Sequence, residues 1–221
     1  VKVVLVSLTL LAAIAVSAPP LADARADAPP FRARLGPIDD ETRARMNGVS
    51  WRPGCPVGFG DLRLLRIRHW GFDGRPHYGR LVINRRQARG MLVVMASLYR
   101  QRFPIRRMHL VDAYGADDRR SMAADNTSAF NCRYVAGRPG VWSEHAYGKA
   151  IDINPVENPY VTDSGYVSPP AGAPFAVRSP HRKGMIRRGG AVVAAFVAIG
   201  WEWGGNWAWP KDFQHFSESG T

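Results

Sequence analysis

Two short segments far apart in the chain restrict the fold more than any other feature. SEHAYGKAID runs from Ser143 to Asp152, and DFQHF runs from Asp212 to Phe216. Each pairs histidine with a carboxylate. If the two sets work together, a mid-chain turn and a C-terminal strand must meet at one point. Hydrolytic zinc sites take three protein ligands of the His/Asp/Glu kind and keep a fourth position for water. His145, Asp152 and His215 supply three such groups. Asp212 is then left as a base that handles the water's protons without binding the metal itself.

The local patterns fit that arrangement. KAIDIN reads as a short strand in which Asp152 faces opposite Ile151 and Ile153. Gly148 lets the chain fold back, so that His145 and Asp152 converge. Ser143 and Glu144 stand beside His145 as partners that could orient it. Pro210 breaks the chain before Asp212. A continuous strand would put Asp212 and His215 on opposite faces, so Asp212 is expected in a turn and His215 inside the strand. The competing reading is a satisfied structural histidine near a glycine and a DxxH that recurs by chance. The two motifs together, preceded by GWEWGGNW, weigh against it.

The pattern S-x-H-x-x-G-x-A-x-D followed by [D/E]-x-x-H-F resembles the zinc D-alanyl-D-alanine carboxypeptidase family. That family includes VanY-like carboxypeptidases, VanX-like dipeptidases and the L-alanyl-D-glutamate endopeptidases of phage endolysins. Ser143, His145, Gly148, Ala150 and Asp152 carry every fixed letter of the first motif. The resemblance covers roughly residues 62–216. It implies Zn2+ on His145, Asp152 and His215, Asp212 as catalytic acid/base, and substrates drawn from peptidoglycan stem peptides. Family members carry S-G-Y-R, whose Arg contacts the substrate or the oxyanion. Here Ser128-Ala129-Phe130-Asn131 stands in its place. Arg133, two residues on and so on the same face of a strand, is the candidate replacement, with Arg120 as the second. Ser143 and Trp207 are expected to contact substrate. The rival from another class is a non-catalytic, zinc-stabilised wall-binding domain, in which His181 or Glu144 would close a four-ligand site.

The formal net charge of +12 favours polyanionic partners. Anionic cell-wall polymers fit the resemblance, and Arg-rich composition from codon bias is the alternative. No basic run interleaved with aromatics resembles a nucleic-acid module, so no nucleic acid is expected. No H-x-H signature of lysostaphin-like enzymes and no S-x-x-K of serine enzymes occurs.

The order of elements reads as α+β: a single domain, with a small antiparallel sheet carrying the zinc site and helices packed on one side. Residues 1–24 read as a signal peptide, with an apolar run at Val3–Val16 and a small-x-small site at Ala22-Asp23-Ala24. An uncleaved anchor is the alternative. The expectation is a secreted or wall-associated bacterial monomer with no stable membrane span after cleavage. Residues 25–56 read as an arm or linker with a helical piece at 39–46, and residues 57–221 as the peptidase domain. Asp73-Gly74 signals a hairpin between 61–70 and 77–84, with Trp70, Tyr78 and Leu81 packing. Met91, Val94, Met95, Leu98 and Tyr99 mark one face of a helix. Strands are expected at Met108–Asp112 and Thr127–Arg133, and a helical turn at 121–124. The proline-rich stretch 160–183 reads as a loop over the site. Ala191–Ile199 reads as a buried helix closing at Gly200.

Cys55 and Cys132 form an even pair, which in a secreted chain favours a disulfide; two free thiols are the alternative. Closing that 77-residue separation (132 − 55) contributes roughly 4 to 5 kcal/mol in the chain-entropy picture.

Overall fold

A computed structural model describes Val1 and residues 29–220. The expected signal peptide lies almost wholly outside the described residues. The residues from Phe31 onward form one compact unit, which carries everything described below. No described helix is long and apolar enough to cross a membrane.

Strand β1 (Ala33–Gly36) leads into helix α1 (Asp40–Met46), whose N-cap Asp39 accepts the Thr42 N–H at 2.8 Å. The hairpin follows as β2 (Leu62–Trp70) and β3 (Pro76–Asn84), and β1 pairs antiparallel with β2 on its other edge. Alternation gives this sheet two apolar faces. Leu65, Ile67, Leu81 and Ile83 point into the main core. Leu62, Leu64 and Val82 point the other way, into a second cluster with Ile38, Met46, Phe130 and Cys132. The Cys55–Cys132 disulfide is formed, with Cα atoms 5.9 Å apart. It ties the segment after α1 to the backbone just before Arg133.

Helix α2 (Ala88–Arg100) lays Met91, Val94, Met95, Leu98 and Tyr99 onto the core, as the 3.6-residue spacing requires. After α3 (Asp118–Ala123), β4 (Tyr134–Val135) pairs with β5 (Arg138–Trp142). The C-terminal half contributes β6 (Ala150–Asp152), β7 (Tyr160–Val161), β8 (Val167–Ser168), α4 (Ala173–Ala176), α5 (Ala191–Val197), β9 (Glu202–Trp203), β10 (Lys211–Asp212) and β11 (His215–Ser217). Two three-stranded sheets result, in the orders β6-β11-β9 and β10-β7-β8. Helix α5 packs on α2 and buries Val192, Val193 and Phe196. The α+β class holds, with its strands divided among four small antiparallel sheets.

Four local expectations are corrected. Tyr78 is 62% exposed, because its strand position faces away from the core. Met108–Asp112 is buried in part but forms no strand; a 3-10 turn begins at Val111. Thr127–Arg133 is extended yet makes no ladder. Phe130, Asn131 and Cys132 donate in turn to the carbonyls of Val82, His145 and Ser50, three different segments. Asp212 sits in a strand, opposite Tyr160, and the bend falls at Phe213–Gln214.

Candidate metal and catalytic site

Strand pairing brings two of the key side chains together. In the β6–β11 register, His215 lies directly opposite Asp152, and cross-strand partners share a face. The other edge of Asp152 is also paired: its N–H donates to Ser128 O at 2.9 Å, and the Ser128 N–H donates to Asp152 O at 3.1 Å. Asp152 is therefore clamped from both sides.

His145 arrives from the 3-10 turn Glu144–Tyr147, capped by Ser143, whose Oγ accepts the His145 N–H at 3.3 Å. Gly148 ends that turn at φ +66. A Cβ there would stand 2.7 Å from the backbone nitrogen of Asn84, so both the angle and the close approach require glycine. The Asn84 N–H donates to Gly148 O at 2.8 Å and fixes the turn to the end of β3.

The imidazole of His145 donates from Nδ1 to the Ala129 carbonyl at 2.5 Å, which leaves Nε2 as an acceptor. Nε2 lies 3.2 Å from Asp152 Oδ2 and 3.3 Å from His215 Nδ1. His215 Nδ1 lies 3.1 Å from Asp152 Oδ1. Tetrahedral bonds of about 2.0–2.1 Å to zinc require ligand atoms about 3.3 Å apart. The two imidazole nitrogens stand at that spacing, and each faces a different oxygen of the Asp152 carboxylate; one ligand atom from each residue lies within 4.8 Å of the other two. Three buried groups that offer lone pairs to one point form a cation's donor set. Burial opposes the charged form of Asp152, but His145 and His215 outweigh it and hold the carboxyl far below the usual carboxylate range. Among the described residues, these three form the group able to hold a metal ion.

A cavity of about 740 Å³ opens on this cluster. Asp212 lines it, with Oδ1 buried and making no hydrogen bond. Burial pushes the Asp212 carboxyl up to about 7; His215 pulls it back, and the nearby Asp152 charge pushes it further up. Gly204 lets β10 come close: a Cβ there would stand 2.6 Å from Asp212 O. Ser143, Arg133 and Trp207 line the same cavity. The Trp207 ring lies 5.6 Å from that of His215, and its Nε1 donates to Gly220 O at 2.7 Å. The Arg133 guanidinium pairs with Asp118 at 3.0 Å. Arg120 pairs instead with Asp117 at 3.5 Å and does not line the cavity. His181 is likewise outside it, bonded through Nε2 to Met185 O at 3.0 Å. Glu144 lines the cavity but is not in the metal-binding group.

Sequence reasoning missed Tyr160, Tyr166, Arg119 and Arg138, which also line the cavity. For the two tyrosines the one signal was the length and proline content of the 160–183 stretch; Arg119 and Arg138 had none. Asn154 was missed as well. It is fully buried at φ +46, accepts the Arg106 N–H at 3.0 Å, and donates to Pro104 O at 2.8 Å. Asparagine's tolerance of the left-handed region was the available clue.

Residues 136–218 match the family model of the D-alanyl-D-alanine carboxypeptidases. The match bears out the resemblance read from the motifs. It spans the metal-binding cluster together with Ser143, Trp207 and Asp212, while Arg133 and Cys132 lie just before it. Comparisons with curated proteins and with solved structures give no significant match. The family match and the His–Asp–His cluster together support a metallopeptidase of the carboxypeptidase type.

Proposed function

We propose that this protein is a secreted zinc metallopeptidase that hydrolyses a peptide bond in peptidoglycan stem peptides. The observation that carries the reading is the cluster of His145, Asp152 and His215, whose ligand atoms lie within 4.8 Å of one another, with the Asp212 carboxyl lining the same cavity. Two histidines and one carboxylate are the borderline donor set that suits zinc. When bound there, zinc polarises a carbonyl and makes water a nucleophile near neutral pH. Asp212 accepts the water's proton and returns it to the leaving amine; a base poised near 7 suits both tasks. Ala129 O fixes the His145 ring through Nδ1, so that Nε2 faces the cluster. Arg133 supplies positive charge at the cavity wall for the developing oxyanion. Trp207 forms an apolar wall beside His215, and Ser143 holds the turn that carries His145. The disulfide and the apolar leader support secretion.

The test is mass spectrometry of purified muropeptides incubated with the full chain, with and without a chelator. The expected result is a stem peptide shortened at one bond, with cleavage lost on chelation and restored by zinc. Intact muropeptides after incubation with zinc-loaded protein would refute the proposal.

A further inference from the structure

The β1–β2–β3 sheet carries a feature that the peptidase reading does not use. Arg34, Arg66 and Arg80 stand directly opposite one another across its three strands. Two residues along, Arg68 stands opposite Tyr78, and its N–H donates to Arg32 O at 2.9 Å, which continues the register to Arg32. Beyond β3, the Arg80 N–H donates to Met108 O at 2.8 Å. Met108 points into the core, while its neighbours Arg107 and His109 are exposed, Arg107 donating to the Ala124 carbonyl.

The same sheet face continues as Leu62 and Leu64 under the second apolar cluster. Like charges directly opposite in a sheet are destabilising, and this face places three in a row. Asp39 reaches Arg66 at 2.8 Å and Glu41 reaches Arg80 at 3.9 Å, but Glu41 is shared with Arg45 at 3.3 Å. Positive charge stays in excess. Tyr78 is exposed, with the Arg68 guanidinium 5.1 Å over its ring. None of these residues lines the candidate active-site cavity.

We propose that this arginine face is a binding surface for an extended polymer of repeated phosphodiesters, a cell-wall polyanion. The choice of a wall polymer rests on the peptidase reading; the surface itself does not. Guanidinium groups bind phosphate with two parallel hydrogen bonds. Rows spaced about 4.8 Å across the strands and about 6.8 Å along them suit a chain of anions better than a single one. The exposed Tyr78 ring lies beneath Arg68, which leaves bases little of it to stack on.

The full chain is titrated with poly(glycerol phosphate) and with single-stranded DNA at matched phosphate, over a range of salt. It is compared with the triple variant Arg34→Gln/Arg66→Gln/Arg80→Gln. A control variant, Arg85→Gln/Arg86→Gln/Arg89→Gln, removes the same charge elsewhere on the exposed surface. The array variant is expected to lose at least tenfold in affinity for poly(glycerol phosphate). Its log–log salt slope should become shallower by about two, at roughly 0.7 per lost phosphate contact. The control should lose less than threefold, and the wild type should bind the polymer more tightly than DNA. Arg34→Gln alone, at a position outside the Asp39 and Glu41 pairs, should lose about threefold and guards against misfolding of the triple variant. Equal losses in array and control, no loss in either array variant, or tighter binding to DNA would each overturn the proposal. Because no hydrolysis is measured, an inactive metal site would leave the result standing.

Discussion

Glu157→Gln should make the protein more stable at pH 8 and leave it nearly unchanged at pH 4. Glu157 is buried, Arg106 donates to its Oε1 at 2.8 Å, and its Oε2 is buried without a hydrogen bond. Burial pushes the carboxyl up to about 7; contact with Asp125 adds to this, and Arg106 opposes it. The unfolded value is 4.5. The folded protein therefore holds a proton that the unfolded chain has released, and stability falls as pH rises from 4.5 to 7. The difference of about 2.5 units at 1.36 kcal/mol each gives a cost of about 3 kcal/mol above pH 7. Glutamine keeps an acceptor for Arg106 and presents a donor towards Asp125, as the protonated acid does. The variant should gain about 6–12 °C in Tm at pH 8, at 2–4 °C per kcal/mol for a chain of this size. Thermal unfolding of both proteins from pH 4 to 8.5 makes the comparison. A gap that does not change with pH, or a wild type more stable than the variant at pH 8, would refute the burial argument. The site is involved because this loop leads to Tyr160, which pairs with Asp212.

Three further outcomes are expected. His145→Ala should lose zinc by elemental analysis, whereas Asp212→Ala should keep the metal and lose hydrolysis by at least a hundredfold, the lower range for a general base; native-rate cleavage by Asp212→Ala would remove its assigned role. Asp212 works deprotonated and its carboxyl is raised to about 7, so kcat/KM should rise with pH along an acid limb. A bound cation favours the charged form and sets that limb at or below 7, and a profile flat from pH 5 to 8 contradicts the assignment. Gly148→Ala forces a side chain to φ +66 and against the Asn84 backbone; about 1–3 kcal/mol of strain should appear as a lower Tm together with weaker zinc retention.

The parts of this molecule governed by local periodicity were legible in its sequence. Helix α2 follows from Met91, Val94, Met95, Leu98 and Tyr99, and β6 follows from the alternation of Asp152 with two isoleucines. The three convergent residues were legible because their spacing matches a family pattern. Thr127–Arg133 was not, because its backbone bonds to five separate segments, at Ser50, Val82, Arg107, Ser143–His145 and Asp152, and no local propensity encodes partners so far apart. Tyr78 sits in an apolar-looking strand, and only the third dimension shows that its position faces away from the core. Tyr160 and Tyr166 were hidden because the stretch read as a loop opens with the β7–β8 hairpin, and the pairing of β7 with β10, which sets Tyr160 opposite Asp212, is a long-range contact.

The pairing of His215 with Asp152 has one more consequence. Sliding β11 by a single residue along β6 would turn the imidazole to the far side of the sheet, and the ion would lose one of its holders. On the proposed metal site, retention of a metal ion would report on whether β11 has docked in the right alignment, and metal content measured during refolding would count correctly assembled molecules before any substrate is added.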